Sequence, residues 1–209
     1  MAAGLFRSGG AGMGIEPGRP LIFFDVETNG LSGDSSVLSI AAVKAVFDAA
    51  GRDLVEGAFC RFYYRKPGER ENPEALAVHG LTSEVIRAKR GEASYAEHFN
   101  RDTDFRAFCA GVNHYVAHNI AFDRKFVPFP LKHCFCTMKE NTAVLRIRRR
   151  CGGFKYPRLS EAAEFYGLAP ETAKLHGSDY DARLSYEIFK KMLHHPRTRQ
   201  RALEFLGKG

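Results

Sequence analysis

Asp25 and Glu27 stand two apart in Phe24-Asp25-Val26-Glu27-Thr28-Asn29-Gly30-Leu31, directly after the apolar run Leu21 to Phe24. A strand alternates side-chain direction at each residue, so both carboxylates face the same way. Side by side they repel. A divalent cation between them relieves that, and hard oxygen ligands suit Mg²⁺ or Mn²⁺. Acids where a strand runs into an Asn-Gly turn are also common, so the pair alone does not decide. Two further acidic elements follow: His118-Asn119-Ile120-Ala121-Phe122-Asp123, and His176-Gly177-Ser178-Asp179-Tyr180-Asp181-Ala182. Read singly, each acid also fits an N-terminal acid in a helix dipole, and His176 fits a loop histidine. His133-Cys134-Phe135-Cys136 offers two thiols and an imidazole. No second Cys pair or His pair lies at metal spacing, and strand alternation puts both cysteines on one buried face, which argues against zinc.

Elements must bring these residues together. The sequence predicts a strand over Leu21 to Glu27, a second over Val37 to Phe47 and a third over about Ala58 to Tyr64, reading as an antiparallel meander. Asn72-Pro73-Glu74 opens a short helix that ends near His79-Gly80, and Thr82 caps the next. Glu92 to Ala110 reads as mostly helical. His114 to His118 reads as a buried strand, Asn119 to Phe126 as the helix after it, and Cys134 to Cys136 as a last short strand. Helices are expected over Lys139 to Ile147, from a Ser160 cap to Tyr166, and over Asp179 to Leu193. Strands first, then helices alternating with strands, give an α/β fold with a mixed sheet of about five strands.

The chain has 209 residues and a formal net charge of +7, with 44% hydrophobic and 26% charged residues. That fits one domain, over residues 20–195, with a disordered arm over 1–19 and a tail over 196–209. No apolar run reaches membrane-spanning length and no signal peptide is evident, so the chain reads as cytoplasmic. Five cysteines without a framework spacing read as reduced thiols. A basic surface attracts polyanions, nucleic acid first. The loop Arg146 to Arg158 interleaves arginines with Phe154 and Tyr156, a composition that suits phosphates and stacked bases, although a charge run is equally often a solvated face.

FDVETNGL at 24–31, HNIAFD at 118–123, HGSDYDA at 176–182 and VHGLT at 78–82 together resemble the DnaQ-like 3′→5′ exonucleases of the DEDDh type, in the ribonuclease H-like superfamily. The group includes the proofreading subunit of the bacterial replicative polymerase. The resemblance implies that Asp25, Glu27, Asp123 and Asp181 hold two ions of Mg²⁺ or Mn²⁺, and that His176 is the general base. Asp179 does not match the motif position. Thr28, Leu31, His79 and Phe122 resemble residues that meet the terminal nucleotide, while Arg148, Arg149 and Arg150 are expected to grip the strand. The implied activity is release of nucleoside 5′-monophosphates from single-stranded DNA or frayed ends, in DNA repair, replication or proofreading. Alternatives are an RNA-trimming enzyme, a catalytically silent nucleic-acid-binding module, or a polymerase-associated subunit. Gln200, Leu203 and Phe205 resemble a sliding-clamp docking motif, with the end of a packed amphipathic helix as the other reading.

Overall fold

The computed structural model describes residues 18–48 and 50–208. The apolar, β-branched and aromatic runs form a five-stranded sheet in the order β3-β2-β1-β4-β5. β1 (Arg19–Thr28), β2 (Val37–Phe47) and β3 (Asp53–Phe62) are the antiparallel meander, and β4 (His114–Ala117) and β5 (His133–Cys136) are added in parallel. The helices are α1 (Pro73–His79), α2 (Ser83–Arg90), α3 (Asp104–Phe108), α4 (Ile120–Asp123), α5 (Thr137–Leu145), α6 (Leu159–Phe165), α7 (Ser178–His194) and α8 (Arg199–Leu206). Thr82 caps α2 as expected, its Oγ1 accepting the Val85 N–H at 3.2 Å.

Strand alternation divides the core. Leu21 and Phe23 face α7, while Ile22, Phe24 and Val26 face the loops and short helices on the other side. Asp25 and Glu27 continue the Leu21–Phe23 row, so they too look toward α7. The spans match: Phe23 to Glu27 covers about 13 Å of strand, and Asp181 to Phe189 about 12 Å of helix. Phe189 meets Phe23 at 5.4 Å between ring centroids. The other end of the row is thereby brought to the N-terminus of α7, where Asp181 lies.

Several expectations need correcting. Glu92 to Ala110 is mostly irregular, with a 3₁₀ turn at Phe99–Arg101 and the short α3. Its aromatics enter the core one at a time from loops, Phe99 against Tyr63 and Phe105 against Phe59, rather than as a helical stripe. The helix after β4 stops at Asp123 instead of Phe126. α6 starts at Leu159, with Arg158 and not Ser160 at its N-cap. Residues 199–206 form α8, whose Ala202, Phe205 and Leu206 are buried in the main core, so the tail is part of the packed body. The expected N-terminal arm falls almost wholly on residues 1–17, outside the described residues, and Arg19 already opens β1.

Candidate active site

The C-terminal ends of β1 and β4 and the N-terminal end of α7 converge on an open cleft of about 640 Å³. Asp25, Glu27, Asp123, Asp181 and His176 all line it. Asp123 closes the four-residue α4. That helix can turn at once from β4 because Asn119 takes a left-handed backbone, φ 79°, which asparagine tolerates. Asp181 sits in the first turn of α7 and is 7% exposed, whereas Asp179 is exposed and lines a neighbouring cleft. Ser178 at the helix start touches Ser39 of β2, the residue paired with Glu27.

Burial drives the electrostatics. It raises Asp25 well above the usual carboxylate range, helped by Asp123, Glu27 and Asp181. Burial and the charges of Asp181 and Asp123 push Glu27 to about 8. Asp123 rises to about 8 by burial and by Asp181, and Asp181 to about 7, chiefly by burial. Asp123 Oδ2 and Asp181 Oδ1 are buried without a hydrogen-bond partner among the described residues. Unpaired buried oxygens among mutually repelling carboxylates fit a divalent cation. One ligand atom each from Glu27, His176 and Asp181 lie within 4.8 Å of one another.

His176 is exposed and carries a left-handed backbone, φ 64°, and its backbone N–H donates to Asp181 Oδ2 at 3.1 Å. The adjacent Gly177 has an ordinary φ of −107°. Its need for glycine is steric, since an added Cβ would stand 3.2 Å from the Lys174 carbonyl.

The remaining sequence candidates are placed unevenly. Phe122 lines the cleft, its ring 5.1 Å from that of Phe126. His79 lines a neighbouring cleft with Glu27 and His176. Its Nδ1 accepts the Leu81 N–H at 2.9 Å, which leaves its proton on a buried Nε2, and burial lowers its pKa. Thr28 is buried and its hydroxyl donates to Gly30 O at 2.7 Å, so its side chain serves the turn. Leu31 is 79% exposed and is not among the cleft's lining residues. Arg148, Arg149 and Arg150 lie outside the cleft on a small hairpin, closed by an Arg148–Phe154 bridge and by Lys155 N–H to Ile147 O at 2.9 Å. Phe205, Leu203 and Gln200 do not form a free docking segment: Phe205 is 2% exposed and Leu203 packs on the core.

Three further residues of consequence were given no individual role by the sequence reading. Glu69 accepts from Asn29 Nδ2 and Ser36 N–H, both at 3.0 Å, and Asn29 Oδ1 accepts from Asn72 N–H at 3.1 Å, which ties the turn after β1 to the loop before α1. His118 and Arg158 both line the cleft. His118 opens the second acidic motif and Arg158 ends the basic loop, but no spacing points to Glu69.

The family model RNase_T, described as "Exonuclease", matches residues 22–189. DNA polymerase III subunit epsilon of Escherichia coli is 27% identical over 186 residues, covering 82% of this chain and 70% of that protein. Exodeoxyribonuclease 10 of Escherichia coli is 28% identical over 142 residues, 67% of this chain and 52% of that protein. Among solved structures, Exonuclease X in complex with 5′ overhanging duplex DNA aligns with a TM-score of 0.60 at 21% identity, over 90% of this chain and 99% of that one. Exonuclease I of E. coli in complex with an oligonucleotide aligns with a TM-score of 0.64 at 14% identity, over 90% of this chain and 42% of that one. At these identities the structural likeness speaks to the fold.

Proposed function

Because the chain belongs to this exonuclease family, the DnaQ-like group with a ribonuclease H-like sheet, we propose that it removes 5′-mononucleotides from the 3′ ends of single-stranded DNA. The observation that carries the reading is the convergence of four carboxylates and His176 in one cleft, with two buried carboxylate oxygens unpaired among the described residues. Asp25, Glu27, Asp123 and Asp181 would hold two Mg²⁺ or Mn²⁺ ions. When bound, such ions lower the pKa of water and offset charge on the leaving oxygen. His176, exposed at the cleft mouth, accepts the proton of the attacking water through its ring nitrogen, a general-base task that an imidazole can perform. Phe122 offers a face for the terminal base, and His79 approaches the same nucleotide from the neighbouring cleft. Arg148, Arg149 and Arg150 attract the strand. Neutralising all three is expected to weaken binding and to flatten its salt dependence, by roughly 0.7 for each phosphate left without a cation. Titrations giving the same slope as wild type would remove that role.

The test uses 5′-labelled DNA and RNA strands with Mg²⁺, Mn²⁺ or EDTA. Stepwise shortening is expected, abolished by EDTA and by Asp25→Ala. The ratio of DNA to RNA rates chooses between DNA and RNA as substrate. Tight binding without shortening would leave a silent binding module. The identity with DNA polymerase III subunit epsilon favours one second reading, a polymerase partner. Co-purification with a polymerase would support it.

A further inference from the structure

Arg158 lines the same cleft as the four acids and is the one permanent cation among its lining residues. Its guanidinium makes no ion pair within 4 Å among the described residues, although its charge helps to lower the pKa of Glu161. Glu161, the nearest acid in sequence, accepts from the Arg158 backbone N–H at 2.7 Å and pairs with Lys155.

What holds Arg158 there is a hydrogen bond through the preceding residue. Pro157 is buried, and its carbonyl can only accept, so His118 Nε2–H donates to it, at 3.0 Å. His118 Nδ1 then accepts from the Thr137 hydroxyl, also at 3.0 Å. Thr137 is fully buried at the start of α5. Both ring nitrogens are thus committed, and the neutral imidazole bolts the end of the Arg-rich hairpin to the end of β4.

We propose that Arg158 is a substrate-positioning residue that grips a backbone phosphate upstream of the bond being cut, and that the His118–Pro157 hydrogen bond sets its position. The inference rests on the nucleic-acid reading above and adds a residue and a contact to it. The scissile phosphate already has the cations that the four acids would hold. The next phosphates have no such charge, and a guanidinium without an ion pair binds phosphate in a fork. Arg158 also follows directly on the hairpin that carries Arg148, Arg149 and Arg150, so positive charge continues from the hairpin to the cleft.

The experiment walks a single neutral methylphosphonate along the last few linkages of a DNA strand. Binding is read by fluorescence anisotropy with Ca²⁺, and strand shortening is read separately with Mg²⁺. Wild type is expected to lose on the order of 10-fold affinity at one upstream linkage, and R158Q to show no loss there. H118A should lose the same linkage preference, because it frees the Pro157 carbonyl that sets the position of Arg158; a merely structural effect would weaken all linkages alike. R158Q alters an exposed side chain, so it remains informative even where H118A folds poorly. Identical linkage profiles for wild type and R158Q overturn the inference. If the wild type shortens strands and the profiles are identical, only the Arg158 contact falls. If nothing is shortened but the R158Q profile differs, the exonuclease reading falls and the contact stands.

Discussion

At His176 the backbone matters as much as the ring. A left-handed conformation places the imidazole beside Glu27 and Asp181, and the backbone N–H of His176 anchors on the Asp181 carboxylate. Replacing His176 by Ala should lower the single-turnover rate by about 10²–10⁴-fold while strand binding persists. An unchanged rate would remove its role as base. His176→Gly should be as inactive but more stable than His176→Ala by about 1 kcal/mol, because glycine takes the left-handed backbone without strain; equal unfolding midpoints would contradict the conformation. The four acids and His176 could be named from the sequence through the family resemblance, because each lies on a short local motif, and the fold brings them to one cleft. Glu69, Thr137 and Arg158 could not, since what each does is set by partners far along the chain.

Elements decide what the tail does. Gln200, Leu203 and Phe205 fit a docking peptide as well as one face of a helix when read as sequence. In the fold, Phe205 sits 5.1 Å from the rings of both Phe135 and His114, and Thr198 Oγ1 donates to Met192 O at 2.8 Å, which turns α8 back against α7. Phe205→Ala is therefore expected to cost about 3–5 kcal/mol, measured by urea unfolding. A loss below about 0.5 kcal/mol would mean that α8 packs too loosely to belong to the core. The same ambiguity explains the misread 92–110 segment. Aromatic residues signal burial, but whether a helix or a loop delivers them depends on the surface they must reach, here Phe59, Tyr63 and Phe24.

For the molecule as a whole, opposed titrations meet in one small body. Glu27, Asp123 and Asp181 bind protons more tightly folded than unfolded, so the metal-free protein loses stability as pH rises from about 4 toward 8. His118 is pushed down to about 4 by burial, so its share of stability is present above about 6.5 and is lost as pH falls through 4. In EDTA the melting temperature should peak on the acid side of neutrality, and Mg²⁺ should raise it mainly on the alkaline side. Melts showing no Mg²⁺ effect at pH 8 would count against a cation among the four acids. No helix among the described residues is long and apolar enough to cross a membrane. The sequence by itself determined the meander, the motif residues and the family, because alternation, caps and short motifs are local and each is written within about ten residues. Only the tertiary structure decided that the row Leu21, Phe23, Asp25, Glu27 runs along α7, that Phe205 closes the core, and that His118 bonds the Pro157 carbonyl beside Arg158. Those depend on which distant surfaces fit together and on which buried polar atoms find partners, and no local pattern encodes either.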